Sequence, residues 1–580
     1  MKSKGTFRRL FSYLRPHRLR LTLVFFMGIL ATLFTVVAPS VLGGITTQLY
    51  NGVSTGVFDW DMILILLAAL VVLYLVSQAF AYVQSVGMNR VMARTMESLR
   101  QDISGKMHRL RLDYYDTHTH GEILSTITND VDSLGNALSQ NLTQIVTQVI
   151  TAVGILVMML RLSPALAAIA IVMVPIALLA SSGVMRSGAK YYGQQQELMG
   201  EMNGFIEEMY QGQSLVQTYN HQNQAKEDFD RLNARLTEAA RNAESASGKV
   251  NPITDLVNNL GYVLSAVLGC LSVLNGNMRI GDVQAMLQYT KQFSQPFTTI
   301  AGMAGSFGAA RAAAGRIFAL LDAEEETPDP ENGKVPEHCD GSVEFRHVRF
   351  GYRPDRPLMK DVNLTVKPGQ KVAIVGPTGA GKTTLINLLL RFYEIDEGAI
   401  LVNGVDTREM SRQELRRHFG MVLQDTWLFE GSIRDNIAYS KEDMPEETVL
   451  AAAEAASVAP FVRTLPGGYE LRLKHGAENI SQGQRQLITI ARAMAADPEI
   501  MILDEATSNV DTHTEQLIQQ AMAELMRHRT SFIIAHRLST IRDADVILYM
   551  ENGDIKEMGN HESLMALHGK YEALYQSQFA

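Results

Sequence analysis

Six stretches in the first half of the chain almost lack charge, and they limit what that half can become. Leu21–Phe58, Met62–Asn89, Ser133–Leu160, Leu162–Met185 and Leu256–Met278 contain no Asp, Glu, Lys or Arg, and Val283–Gly305 contains only Lys291. Each can supply the ~20 apolar residues that a helix needs to cross a bilayer. In lipid a helix satisfies its own backbone groups, so such runs are expected to be helical. Soluble core helices are the alternative, but six such runs with little sheet pattern around them argue against it. The sequence therefore predicts six membrane helices, near 21–43, 62–86, 138–160, 162–185, 256–278 and 283–305. With 46% hydrophobic residues in 580 and a mean hydropathy of +0.00, the apolar residues have to be concentrated in one part. The basic N-terminus lacks a small-residue cleavage site after its apolar run, which reads as a retained span.

Lysine and arginine in the short flanks set the orientation. Met1–Arg20 carries seven of them, Tyr50–Asp61 none, and Asn89–Arg111 another cluster: Arg90, Arg94, Arg100, Lys106, Arg109 and Arg111. Arg161 and Arg279 weaken the contrast at the later links. Both termini are expected in the cytoplasm, with the protein in the cytoplasmic membrane. Two long polar connections, 89–136 and 186–255, are nearly free of proline and read as helices running on out of the membrane.

Polar residues inside spans are costly and face a cavity or another helix. Gln284, Gln288, Lys291, Gln292 and Gln295 recur at helical spacing, as do Gln140, Gln144 and Gln148. Two readings stand side by side: hydrogen bonding between helices, and a wet pathway lined by Gln288, Lys291, Gln292, Gln295 and Gln144. On the second, Lys291 is its one full charge and suits an anionic headgroup or carboxylate.

At Asp322–Gly341 the pattern changes. The stretch is acidic, and Pro328, Pro330 and Pro336 prevent a continuing helix. Residues 1–321 form the expected membrane domain, 322–341 a linker, and 342–580 a second domain. There, apolar strand-like runs at 372–375, 419–423, 500–503 and 531–535 alternate with helical patterns, as in an α/β fold. Gly376-Pro377-Thr378-Gly379-Ala380-Gly381-Lys382-Thr383 follows one such run and precedes a helical pattern. Strand, glycine loop and helix is the context of a phosphate-binding P-loop. Its backbone N–H groups and helix N-terminus bind phosphate, Lys382 reaches the outer phosphates, and Thr383 holds Mg²⁺; Thr384 follows in the same turn. Asp504 and Glu505 end an apolar strand. The first suits Mg²⁺, and the second suits a general base for water. His536 ends the last of these strands, placed to orient that water. Tyr352 offers a ring for adenine, a stacking worth ~1–3 kcal/mol. The expected cofactors are ATP and Mg²⁺. The net charge of −9 excludes a basic nucleic-acid footprint. Cys270 and Cys339 predict neither a disulfide scaffold nor a metal site.

Asn479-Ile480-Ser481-Gln482-Gly483-Gln484-Arg485-Gln486 resembles the signature of ABC proteins, usually Leu-Ser-Gly-Gly-Gln. Gln424 resembles the Q-loop, a further Mg²⁺ contact, and Ser508-Asn509-Val510-Asp511 the D-loop. Asp113-Tyr114-Tyr115-Asp116, with Thr128–Asp132 beyond it, resembles the first intracellular loop of ABC exporters, where a short helix docks on the ATPase domain. A second docking helix is expected near 215–224. The chain thus resembles a half-size ABC exporter over nearly its whole length. The resemblance implies an α-helical six-span membrane domain with long cytoplasmic helical extensions, followed by an α/β P-loop ABC ATPase domain. It also implies that Ser481, Gln482, Gly483 and Gln484 act in trans, on ATP held by a second half-transporter.

Two departures bear on that partner. Gln482 replaces the first signature glycine, and His475 falls where a glutamate is usual, while Lys382, Glu505 and His536 are intact. The combination resembles one half of heterodimeric exporters, with one hydrolytic and one slow ATP site. A homodimer that tolerates the substitution is the alternative. The expected activity is ATP-driven export of a hydrophobic or amphipathic small substrate (drug, lipid or peptide) through the lipid bilayer. Uptake by an exporter-type fold, a soluble ABC ATPase and an ATP-gated channel are the competing readings; the spans weigh against the soluble one.

Overall fold

The computed structural model describes residues 4–353, 355–424, 426–441, 443–504, 511–535 and 541–579. The chain divides into two compact units, Met1–Arg109 with Thr117–Ala323, and Leu110–Asp116 with Glu324–Ala580.

Charge-free sequence becomes helix throughout the first unit. After α1 (Lys4–Leu14) come α2 (Arg18–Thr55), α3 (Trp60–Met107), α4 (Leu112–Thr117), α5 (His120–Ser125), α6 (Val131–Leu162) and α7 (Pro164–Gln211). Then follow α8 (Gln213–Thr218), α9 (Gln222–Ser247), α10 (Val250–Leu274), α11 (Ile280–Phe293), α12 (Gln295–Gly302) and α13 (Ala304–Leu321). Local chemistry sets the ends. Gly56 takes the left-handed conformation after α2, and Asp59 caps α3 by accepting from Met62 N at 3.0 Å. Ser163 caps α7, with Pro164 in its first turn, where a missing N–H costs nothing.

Among the described residues, five helical stretches are long and apolar enough to cross a membrane. With 48 residues each, α3 and α7 measure about 72 Å at 1.5 Å per residue. That is more than twice the ~30 Å hydrocarbon thickness, so both run well beyond it. The sixth run, expected as one helix over 283–305, is divided among α11, α12 and α13. Pro296 accounts for the first break: it has no N–H to donate, and its ring crowds the carbonyl four residues earlier. The stretch 215–224, where a second docking helix is expected, is not one helix: α8 ends at Thr218 and the chain turns at 219–221 before α9 begins at Gln222.

Helices α2 and α11 approach closely at a pair of glycines. A Cβ at Gly281 would overlap the Gly43 carbonyl oxygen, and a Cβ at Gly43 would overlap that of Gly281. Gly281 N also donates to Thr47 Oγ1 at 3.2 Å. Small residues allow such approach where no hydrophobic effect drives helices together. Gly281→Ala is therefore expected to cost about 1–3 kcal/mol by overpacking, read as a lower melting temperature in detergent. Gly44→Ala is the control, since its Cβ meets only Leu66 Cδ1 at 3.6 Å, and it should leave melting unchanged.

The second unit is built on sheets. Strands β1 (Val343–Phe350), β2 (Met359–Val366), β3 (Lys371–Val375), β4 (Glu397–Val402), β5 (Val405–Asp406) and β6 (Phe419–Val422) come first. They are followed by β7 (Gly431–Ser432), β8 (Arg472–Leu473), β9 (Ile500–Asp504), β10 (Thr530–Ile534), β11 (Val546–Glu551) and β12 (Asp554–Gly559). One antiparallel sheet has the order β2-β1-β4-β5, and a six-stranded sheet the order β12-β11-β3-β10-β9-β6. In the larger sheet only β12 is antiparallel. Its central strands are buried on both faces, which is why β9 reads as an apolar run and not as alternation, and why even Thr530 and Ser531 of β10 are buried. Leu110–Asp116 belongs to this unit, with Leu112 packed against its core.

Candidate nucleotide site

Three parallel strands bring the candidate residues to one edge of the sheet. Ile534 in β10 pairs with Ile374 in β3 and with Asp504 in β9. The carboxyl ends of these strands therefore lie together, where open α/β sheets bind ligands. From β3 the chain enters Gly376–Gly381, and the helix Lys382–Leu389 begins at once. Gly376, Gly379 and Gly381 have φ of 147, 79 and 98°, values that a side chain disfavours. Gly376 has no alternative, since its Cβ would overlap the Met550 carbonyl oxygen.

Lys382 stands over this loop, its Nζ donating to Gly376 O at 2.7 Å and Pro377 O at 3.1 Å. Burial lowers its pKa, and the charge of Asp504 opposes that shift. So a cation and a carboxylate face each other at the mouth of the loop, a pairing that suits phosphate and a divalent ion. Pro377, Thr378, Gly379 and Thr383 are exposed there, while Ala380 and Thr384 are buried. Gln424 is exposed two residues beyond β6, whose Val422 pairs with Leu503, on the Asp504 side of the sheet. These residues form a glycine-lined loop whose exposed backbone, with Lys382 and Asp504 beside it, suits a triphosphate and its Mg²⁺.

Tyr352 is 52% exposed, and its hydroxyl meets Thr384 Oγ1 at 3.0 Å. Its ring stands edge-on to Phe350 and Tyr393, with centroids 5.0 and 5.1 Å away. An exposed ring face fixed in this way is ready for a base to stack on it.

Other expected residues are placed apart from the cradle. Ser481 caps the helix Gln482–Ala496. Its Oγ accepts from Gln484 N at 3.2 Å, and Gln484 Oε1 accepts from Ser481 N at 3.0 Å. Gln482 is exposed and Gly483 buried. Among the described residues, no hydrogen bond joins Ser481–Gln484 to Gly376–Thr384. Asp511 caps the helix Thr512–Leu525, accepting from Thr514 N at 3.0 Å, and that backbone bond lowers its pKa. Glu505 and His536 lie outside the described residues, as do Ser508, Asn509 and Val510.

Two contributors escaped the sequence reading. Gly553 N donates to Ala380 O at 2.9 Å, pinning the glycine loop to the turn between β11 and β12. The signal was available: Asn552-Gly553 after the apolar run of β11 is a hairpin turn, and both residues have positive φ. Tyr393 is the second. Its hydroxyl donates to Asp116, so burial and that carboxylate together raise its pKa. No local pattern marks it, because its partner is distant in sequence.

Comparison with known proteins places the chain in a family. The family description "ABC transporter transmembrane region" matches residues 21–297, and "ABC transporter" matches residues 359–508. A fatty acid ABC transporter ATP-binding/permease protein of Mycobacterium tuberculosis is 43% identical, over 98% of this chain and 95% of its own length. An ATP-dependent lipid A-core flippase of Syntrophus aciditrophicus is 31% identical, over 99% of this chain and 94% of its own. A solved bacterial Atm1-family ABC exporter with ATP bound is similar with a TM-score of 0.75 and 27% identity. That match covers 97% of this chain and 98% of the other.

Proposed function

The chain belongs to the ABC transporter family as an exporter-type half-transporter, with membrane and ATP-binding regions on one polypeptide that couple ATP hydrolysis to transport, and from that premise we propose how its residues divide the work. The loop 376–384 holds the phosphates, with Lys382 on the outer ones and Tyr352 against adenine. Thr383, Gln424 and Asp504 hold Mg²⁺, which neutralises phosphate charge when bound. The fit rests on the glycine cradle and on Asp504 facing Lys382. Glu505 takes the proton of the attacking water, and His536 orients that water.

The lid of this site comes from a second half-transporter, whose signature helix starts over this chain's loop. In return this chain offers Ser481, with Gln482 exposed beside it. An amide side chain where the family has glycine crowds the opposite phosphate, which supports a different chain as partner and unequal ATP sites. Six membrane crossings, the last one kinked at Pro296, leave both termini in the cytoplasm of a cell bounded by this membrane.

The substrate is an amphipathic molecule with an acyl chain and an acidic group, moved outward. The observation that carries this is Lys291. It is exposed on α11, beside a cavity of about 460 Å³ that Thr46, Asn259, Tyr262, Gln284 and Gln288 also line. Gln284 accepts a hydrogen bond from the Thr46 hydroxyl, so part of the glutamine row serves helix contact. Gln292, Gln295 and Gln144 are exposed. The names of the relatives, a fatty acid transporter and a lipid A-core flippase, support the same class. The test measures ATPase stimulation in lipid nanodiscs by a long-chain fatty acid and by its methyl ester. The parent should prefer the acid, and Lys291→Ala should lose about 10- to 100-fold in apparent affinity for it, as fits a charged hydrogen bond. The ester response should be unchanged. Equal preference in parent and variant would remove Lys291 from substrate binding.

A further inference from the structure

At the edge of the large sheet opposite the nucleotide cradle, three metal-ligating side chains meet. His418 and Glu499 immediately precede β6 and β9, whose first residues, Phe419 and Ile500, pair in parallel register. Ile500 N donates to His418 O at 3.0 Å, and Thr530 N donates to Glu499 O at 3.2 Å. The two side chains are thereby fixed next to each other, with His418 Nδ1 3.1 Å from Glu499 Oε2. The linker supplies the third. Gly341, at φ 80°, passes so close that a Cβ would lie 2.9 Å from Thr530 Oγ1 and 3.2 Å from Glu499 O. Its N–H donates to Asn403 Oδ1 at 2.7 Å. That anchoring delivers Cys339, two residues earlier, to the pair. One ligand atom from each of Cys339, His418 and Glu499 lies within 4.8 Å of the others.

We propose that Cys339, His418 and Glu499 bind a zinc-class divalent cation that fastens the linker to the base of the ATPase sheet. The donor set is thiolate, imidazole and carboxylate, which selects zinc or cobalt over magnesium and calcium. Metal bonds of about 2.0–2.3 Å place ligand atoms roughly 3.3–3.8 Å apart. The histidine–glutamate pair is already that close, and the exposed cysteine closes the rest by a small side-chain movement. His418 is buried with one ring nitrogen unpartnered: its side chain is 4% exposed, and its Nε2 has no hydrogen-bond partner among the described residues. Binding through Nδ1 leaves Nε2–H facing Glu414 Oε1, 3.7 Å away, the carboxylate that orients metal-bound imidazoles. Glu499 and Asp504 lie five residue steps apart along β9, about 17 Å at ~3.3 Å each, so this site is distinct from the Mg²⁺ site of the nucleotide. The spacing of the cysteines predicts no metal site; the fold makes one by joining residues from the linker and two strands.

The test uses the full chain in detergent without a polyhistidine tag, carrying Cys270→Ala so that Cys339 is the sole thiol. Cobalt(II) is titrated with Mg-ATP in excess. The expected result is one cobalt per chain with a thiolate-to-cobalt charge-transfer band, displaced by zinc. Cys339→Ser should abolish the band, and Glu414→Gln should weaken binding about 10- to 100-fold. Absence of the band in the Cys270→Ala protein overturns the proposal without any further variant. So does an unchanged titration in Cys339→Ser.

Discussion

Lys382→Ala is expected to lower ATP turnover by about 10²–10³-fold, the usual loss when one preorganised donor to a reacting oxyanion is removed, and to remove tight ATP binding with it. The reason is placement. Lys382 is held over the loop by Gly376 O and Pro377 O, so its ammonium is aimed before any phosphate arrives. Stability should change little. Burial lowers the Lys382 pKa, so the charged form is disfavoured in the fold below that pKa and relieved as pH rises through it. Removing the side chain at neutral pH relieves that desolvation, which offsets the loss of its bonds to Gly376 O and Pro377 O, and the variant should melt close to the parent. For the same reason, ATP affinity of the parent should weaken on the alkaline side before an exposed lysine would titrate. Nucleotide binding and melting, measured on the same preparation, check both parts. Turnover within tenfold of the parent would remove Lys382 from the role given to it.

What the sequence made legible was whatever depends on neighbours in the chain. The charge-free runs became the long helices, since lipid leaves a backbone no other choice. The glycine loop and Asp504 could be read because they sit at strand ends, where short patterns determine direction. Pro296 was overlooked: a sixth run in three pieces depends on one missing N–H and not on hydropathy. Gly281 against Gly43 could not be read, because a glycine that permits close approach looks like any other until its opposite helix is known. The Tyr393–Asp116 bond and the Cys339, His418 and Glu499 cluster were hidden for the same reason. Each joins segments that only β-sheet register or a loop return brings together. Gly553 is the intermediate case: its turn was readable from Asn552-Gly553, but its bond to Ala380 required the β3–β11 pairing.

Glu505→Gln should separate chemistry from binding, which Lys382→Ala does not. Loss of a general base costs about 10²–10⁴-fold in turnover, while the glycine loop, Lys382 and Tyr352 still hold ATP. The variant is expected to bind nucleotide like the parent and to hydrolyse it slowly. Expressed alone and with candidate partner half-transporters, the same variant decides the assembly. If this chain pairs with a different one, the chain alone should be nearly silent and the pair active. Glu505→Gln should then silence the pair, because the reciprocal site closes on Ser481 beside Gln482 and is slow already. In that pair Gln482→Gly should raise the residual turnover by giving the reciprocal site the close approach that glycine permits. Strong ATPase from the chain alone, abolished by Glu505→Gln, would instead establish a homodimer. Gln482 would then face both ATP sites equally, and its substitution by glycine should change both or neither.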